Sequence, residues 1–515
     1  VMLGCLAIPS YASDNRSAPN VFSSGSTISS SQMNENFNFL ASEIREKDVY
    51  CDSGDRISNA INEGYNSLTI YGTCDGGFMV YMLDPIPFGV STSQMLNKPI
   101  THLIIKGGDS NRSAIIKNTK DDMNSNVMTN GYLQLYNLTF NDKLNINDGS
   151  VLYLNQVNYE SLNLGTDEFS EINIYGNSNA IIRDSNITAE LRASENSNIN
   201  IEKSTLSSSS NSKYSLVAKK NSHIDSEELT LSGEINVNRG SSWSDENSNI
   251  NPDKIYISKN SILEIYQSTI NGELKIVDNS FALIDKTTVN GTVNNKTIEV
   301  KHNSSLNLWK SDITGFSGAG DVIWIYNNSS FRSNGDSSTA DGRSNITAPS
   351  GEHAIRLELS SSGDISSTNI TSVDRQAIYL QRNSSLAVWN NVNIDRTEDT
   401  SSTDIMVSAP GELSLNDSSI IVGNVGCEDI ISKVQLDQSL STNLDSKCNG
   451  FKNLFPEFRT INSGNCETYG YRNLISPHEC SQATGDSVTI LSGQGEIYGC
   501  SERNNNSRGF EFSSL

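Results

Sequence analysis

Histidine is scarce in this chain, with five residues in 515. His102, His223, His302, His353 and His478 are scattered, so spacing reveals neither a Ser/His/Asp order nor paired imidazole metal ligands. No Cys-x-x-Cys pair occurs either, which argues against a zinc site. Basic residues are outnumbered, 37 Lys and Arg against 60 Asp and Glu. The net charge of -23 argues against nucleic acid or an anionic membrane as partner, since both need basic surface. Beyond the first dozen residues no apolar run is long enough to cross a bilayer as a helix. Cysteine is missing from everything between Cys74 and Cys427, so the middle of the chain must be held without disulfides.

What fills that middle is a short repeat. Asn260 to Ile270, Asn279 to Val289 and Asn303 to Ile313 share one pattern. With the first Asn as position zero, positions 3 and 5 are apolar or small, position 8 is Ser or Thr, and position 10 is Ile, Leu or Val. Earlier copies start at Asn177, Asn196, Asn221 and Gly240, and later ones at Asn383 and Pro410. The starts at 221, 240, 260 and 279 are 19, 20 and 19 residues apart. A period near 20 with tolerated insertions is a solenoid signature, and alternation at positions 3 and 5 is that of a strand. The expected fold is therefore all-β, a β-solenoid. Asn at position zero suits a sharp corner, because it enters the left-handed region more readily than any residue but Gly, which replaces it at Gly149 and Gly240. Stacked Asn side chains can also hydrogen-bond along the axis. Ser185, Ser204, Ser248, Ser268, Thr287, Ser311 and Ser418 fill position 8 and predict a hydroxyl ladder or a turn. Asn328 and Ser362 read as degenerate starts, and Asp336 to Ser350 reads as a loop bulging from one coil. Roughly a dozen coils at ~4.8 Å give a rod of about 60 Å.

The ends differ from the middle. Residues 1–12 read as the remnant of a secretory signal, with Ser10-Tyr11-Ala12 before Ser13. Leu3-Gly4-Cys5 is a poor match to a lipoprotein cleavage site, so lipid anchoring is the weaker expectation. Residues 13–50 form a leader in which Met33, Phe37, Leu40 and Ile44 make one apolar helical stripe. That stripe must be buried, either against the solenoid end or by oligomerisation. Residues 51–426 form the solenoid with its cap: a short helix with Ile57, Ala60 and Ile61 inward, then a strand from Ser67 to Cys74. The cap would cover an open, edge-exposing end, stapled by a Cys51–Cys74 disulfide. Residues 427–515 form a disulfide-containing module with Cys427, Cys448, Cys466, Cys480 and Cys500, of undetermined connectivity.

The run from Cys51 to Cys74, then His102-Leu-Ile-Ile-Lys-Gly-Gly108 and Ala114-Ile-Ile116, resembles the first coils of secreted bacterial right-handed parallel β-helix proteins of the pectin-lyase-like superfamily. Phe22 to Ile28 with Asn34 to Phe37 also resembles a leader of bacterial surface proteins and phage-fibre-like chains. The resemblance spans roughly residues 20 to 420. It implies the right-handed parallel β-helix and leaves the activity open, since that scaffold carries lyases, hydrolases, adhesins and tailspikes. Pectate-lyase-like members use clustered acidic calcium ligands with a basic Arg or Lys. Polygalacturonase-like members carry an Asp-Asp pair and a Gly-His-Gly. This chain has no Gly-His-Gly, and its Asp121-Asp122 falls in a polar loop from Asn118 to Asn126.

Position 6 holds the candidate chemistry: Arg183, Glu202, Glu227, Glu246, Tyr266, Asp285 and Trp309 on successive coils. In register, neighbouring carboxylates would lie about 5 Å apart and next-neighbours about 10 Å, bracketing the separations used by retaining and inverting glycosidases. Glu202, Glu227, Glu246 and Asp285 are thus the catalytic candidates, and the same oxygens suit Ca²⁺. The plainer expectation is a solvated face with Arg183 paired to Glu202, without metal or cofactor. Unequal coil lengths leave the register open. Tyr136, Tyr266, Trp309 and Trp389 also fall at position 6 and are the candidates for stacking on sugar rings. Cover by a loop, such as 336–350 against Trp309 or Trp389, is the alternative. The functional expectation is a secreted or bacterial cell-surface rod, structural or adhesive, that contacts glycans or surface partners without catalysis. A polysaccharide lyase or glycoside hydrolase is the first alternative, and a phage-fibre-like trimer seeded by the Met33–Ile44 helix the second.

Overall fold

The computed structural model describes residues 44–428 apart from 76–78, 82–101, 109–112, 118–124, 129, 142, 161–170, 210–211, 293–295, 319, 337–341, 398–402, 409 and 418. Beyond 428 it describes 433–436, 442–444 and short strand segments between 459 and 510. The signal remnant, residues 33–43 of the expected helix, Asp121-Asp122, Cys448 and Cys480 lie outside the described residues. Ile44 is exposed and not helical.

One coil shows how the sequence becomes the fold. Ser242–Glu246 is a strand, Asn249–Asn251 a second, Lys254–Ser258 a third, and the next coil returns at Ile262–Tyr266. Repetition of this path builds a first sheet of 17 strands, a second of 15 and a third of 16. Each strand pairs in parallel with its counterparts one coil away, as between 242–246 and its neighbours. The molecule is a parallel β-helix. The alternation expected at positions 3, 5 and 10 sets its core: Leu263, Ile265 and Ile270 are fully buried, as are Ala282, Ile284 and Val289 one coil on. Truncating one such Ile to Ala costs roughly 2–5 kcal/mol.

The corners use more left-handed backbone than the Asn signature suggests. Asn260 has φ 63° and Lys259 before it φ 58°; Gly240 has φ 75° and Arg239 before it φ 57°. Two consecutive left-handed residues are the requirement of a tight I′-type turn. A second corner, at position 7, uses one such residue: Asn247, Gln267 and Lys286 have φ 57°, 50° and 48°. Non-glycine residues there cost about 1–2 kcal/mol each, which the repeated ladder must offset.

Serine does much of that. At position 8, Ser248 Oγ accepts from Leu229 N at 2.8 Å, Ser268 Oγ from Ser248 N at 3.0 Å and Ser311 Oγ from Thr287 N at 3.2 Å. The expected hydroxyl ladder is therefore present. A second ladder, not anticipated, occupies position 1: Ser197 Oγ accepts from Ser178 N, Ser222 Oγ from Ser197 N and Ser241 Oγ from Ser222 N. Its hydroxyls also donate within their own coil, as Ser222 does to Lys219 O at 2.8 Å. Buried corner amides thus gain acceptors that the strand ladders do not supply. At position zero, among the described residues, one Asn–Asn bond is found, Asn196 Nδ2 to Asn177 Oδ1 at 3.3 Å. The Asn ladders lie mostly on the flat faces, as Asn290 to Asn271 to Asn251.

Three expectations need correction. The rod is longer, because pairing continues beyond the recognisable repeat: Glu46–Tyr50, assigned to the leader, pairs with Ser67–Tyr71, and Glu412–Leu415 pairs with Lys433–Leu436. Seventeen rungs span roughly 75–80 Å. Residues 336–350 are not one loop, since Ser344–Ala348 is a strand whose buried Ile346 continues the Ile313–Ile370 column. The corner near 360 is Leu359-Ser360, with φ 54° and 60°, two residues ahead of the expected Ser362 start. The cap is as expected: helix Ile57–Asn62 buries Ile57, Ala60 and Ile61, and the Cys51–Cys74 disulfide ties it to the first coil.

Candidate functional site

Strand alternation turns positions 2, 4 and 6 of the first sheet outward. The structure settles the register of position 6. Arg183 pairs with Glu202, Glu202 with Glu227, Glu227 with Glu246, Glu246 with Tyr266, Tyr266 with Asp285, and Asp285 with Trp309. Coil lengths differ, yet the extra residues leave between strands. The 25-residue step from Asn303 to Asn328 still sets Trp309 beside Asn334. Successive members of the column are therefore about 4.8 Å apart.

Part of the column lines a pocket of about 200 Å³ formed by Asn200, Glu202, Asp225, Ser226, Glu227, Ser244, Glu246 and Tyr266. Glu202 is engaged at its edge, with Arg183 Nε 2.9 Å from its Oε2 and Nη2 2.9 Å from its Oε1, the ion pair expected. Among the described residues Asp225, Glu227 and Glu246 make no side-chain hydrogen bond or ion pair. Tyr266 O–H donates to Glu264 Oε2 at 3.4 Å, and burial together with the Glu264 charge raises its phenol above the usual value. Asp285 lies on the far side of Tyr266, one carboxylate oxygen enclosed and without a hydrogen-bond partner. Among the described residues no three His, Cys, Asp or Glu side chains are grouped closely enough to hold a metal ion.

The aromatic candidates are dispersed along this face. Tyr136 sits near the N-terminal end, 5.5 Å from Tyr153, its hydroxyl donating to Gln134 Oε1 at 3.0 Å. Trp309 and Trp389 are 39% and 43% exposed. Of the stretch 336–350 expected to cover them, Ser344–Ala348 belongs to the second sheet instead, and 337–341 lie outside the described residues. Ile262, 42% exposed, adds an apolar side chain on the same face.

Two polar assemblies escaped sequence reasoning. Directly behind the pocket, Trp243 and Asp245 point inward, where the repeat calls for apolar residues, and both are buried. Trp243 Nε1 donates to Ser226 Oγ at 2.9 Å, and Ser226, Ser248 and Ser268 hydroxyls donate to the Asp245 carboxylate. The available signal was the break of the apolar pattern at Ser226 and Asp245, both at position 5. On the third sheet Lys275, Glu299, Trp324, Arg356 and Tyr379 share one column. Lys275 Nζ is 2.6 Å from Glu299, and Arg356 is 3.3 Å from Asp321 and 3.2 Å from Glu358. Burial pushes the Glu299 carboxyl up, but the Lys275 hydrogen bond and charge, with Lys301, hold it below its ordinary value. Lys296 Nζ stands 4.0 Å from the Trp324 ring centre, and Trp324 stacks on Tyr326 at 4.8 Å. Lys275–Glu299 and Arg356–Asp321 bridge neighbouring coils, whereas Arg356 and Glu358 share one strand.

No described helix is long and apolar enough to cross a membrane. No protein-family model matches the chain, and no curated protein matches it. Among solved structures, the receptor-binding protein of bacteriophage Det7, a podoviral tailspike in a myovirus, is similar at 11% identity and a TM-score of 0.24, over 87% of this chain and 86% of that one.

Proposed function

We propose that this chain is a secreted or cell-surface bacterial rod, akin to pectin-lyase-like β-helix proteins, that contacts glycans through the outer face of its first sheet without catalysis. The observation that carries the reading is the pocket around Tyr266, where carboxylates, Asn200 and Ser244 meet an aromatic ring. Carboxylates and amides accept and donate to sugar hydroxyls, and ring faces cover the apolar side of a pyranose. The strands that present these groups are rigid, so little ordering cost opposes binding. Trp309 and Ile262 extend the same face toward longer ligands. The test is a glycan array with the purified protein and Tyr266→Ala, each with and without Ca²⁺. Selective binding lost in the variant supports the reading; no selective binding in any condition overturns it.

Hydrolysis is the second reading, favoured by the register that sets Glu227 beside Glu246 and one rung beyond Glu202. Such spacing brackets the carboxylate separations of retaining and inverting glycosidases. Reducing-end release from neutral or acidic polysaccharides, abolished in Glu227→Gln, would replace the non-catalytic reading.

A further inference from the structure

The core of a β-helix is a stack of apolar rungs, and an acid within it is costly unless neutral or matched. Asp245 is 1% exposed, with Trp243 two residues away at 0%. Its Oδ1 accepts from Ser226 Oγ at 2.5 Å and Ser248 Oγ at 2.8 Å, and its Oδ2 from Ser268 Oγ at 2.8 Å. These three hydroxyls are themselves held: Ser226 by Trp243 Nε1, Ser248 by Leu229 N and Ser268 by Ser248 N. The carboxyl thus ties strand 242–246 to the coils on either side of it.

Charged groups on the surrounding strands give this carboxyl no counter-ion. On the first sheet His223, Asp225, Glu227, Glu246, Glu264 and Tyr266 lie on the outer side, as their exposure alternates along each strand. On the third sheet Glu234, Lys254, Tyr256 and Lys275 are half-exposed between buried apolar residues, and Glu273, though buried, is paired with Lys254 at 3.3 Å. The second-sheet strands Thr230–Ser232, Asn249–Asn251 and Thr269–Asn271 carry no titratable side chain. Asp225, the charged neighbour that acts on Asp245, is itself acidic.

We infer that Asp245 is a proton-operated weak point in the rod: protonated, its O–H donates to Ser268 Oγ, whose own proton turns to Tyr266 O at 2.8 Å, and the group holds three successive coils together from inside; ionised, it leaves a charge without a counter-ion in the core and loosens residues 223–271. Burial raises its carboxyl above the ordinary value, outweighing the three hydroxyls that pull the other way. A raised value in the folded rod means that the folded state binds the proton more tightly. The stabilisation is complete below the unfolded value of 3.8 and is lost as pH rises through the folded value. Each unit between the two values changes the closed-to-open ratio of these coils about tenfold.

Hydrogen exchange of the full chain, corrected for intrinsic rates, tests this between about pH 4 and pH 8. Protection over 223–271 is expected to fall with rising pH relative to the reference coils 355–396, and this extra fall should vanish in Asp245→Asn. An equal fall in both regions, or a fall that persists in Asp245→Asn, overturns the inference. Ser268→Ala keeps the test open should the Asn variant not fold. Loss of one donor to the ionised carboxylate should move the midpoint to higher pH, and an unmoved or lowered midpoint refutes the role. Difference infrared spectroscopy supplies an independent readout: a protonated-carboxyl band that titrates above 3.8 and disappears in Asp245→Asn is expected, and its absence counts against the proposal.

Discussion

Ser222→Ala is the sharpest test of what holds the coils together. Ser222 is 1% exposed; its hydroxyl accepts from Ser197 N at 3.3 Å in the preceding coil and donates to Lys219 O at 2.8 Å in its own. The substitution removes one oxygen and leaves the backbone unchanged. It strands the Ser197 N–H in a corner that water does not reach, and it frees one lone pair on Lys219 O. An orphaned buried donor costs about 1–3 kcal/mol, whereas losing a carbonyl's bond costs less because that oxygen can take other partners. The expected loss is therefore about 1–3 kcal/mol. In a solenoid, energy is shared between neighbours, so the loss should centre on the coils from 197 to 241. Guanidinium unfolding by circular dichroism reads the total, and amide exchange at Ser197 reads the place. Ser330→Ala is the control, since Ser330 is an exposed strand residue, and its effect should stay within about 0.5 kcal/mol. If the two variants lie within about 0.5 kcal/mol of each other, the hydroxyl ladder is not what satisfies these corners.

Other substitutions probe separate parts of the argument. Asn260→Val forces a β-branched residue to φ 63° and should cost at least about 1–2 kcal/mol in denaturant midpoint, while Asn260→Gly should be nearly neutral. Reducing Cys51–Cys74, which closes a separation of 23 residues, should cost about 3 kcal/mol locally and open the cap to proteolysis before the central coils. Glu299 sits below its ordinary value of 4.5, so its stabilisation is present above that value and lost as pH falls through the folded one; Glu299→Gln should flatten that acid limb of the stability curve. Trp309→Ala should change stability by less than about 1 kcal/mol while weakening glycan binding roughly three- to tenfold, read by calorimetry on whichever glycan the array selects.

Much of the architecture was legible in the sequence because a repeat states its geometry many times over. Asn177, Asn196, Asn221 and Asn260 all mark left-handed corners, and one hydroxyl column could be read straight from Ser248, Ser268 and Thr287. The position 1 serines were equally visible, since nearly every corner Asn is followed by Ser, yet their role depends on an amide one coil away. Register was harder. Coil lengths vary, and only pairing shows that insertions leave the ladder between strands, which is why Glu202, Glu227, Glu246 and Tyr266 meet in one pocket. The third-sheet column could not be foreseen, because Lys275, Glu299, Trp324, Arg356 and Tyr379 are separated by unequal intervals without a shared motif.

By itself the sequence determined the class of fold, the Asn-marked corners of the regular coils, the inward positions between them and the stapled cap. Local rules suffice for these, because a left-handed corner, an alternating strand and an isolated cysteine pair each write themselves into a few adjacent residues. Tertiary structure alone decided which outward side chains stand side by side and what an acid at an inward position does. Both depend on groups about 19 or more residues apart brought within hydrogen-bond reach by stacking, as Asp245 is with Ser226 and Ser268. A pattern repeated every coil fixes where a side chain points, but only the closed stack fixes what it meets.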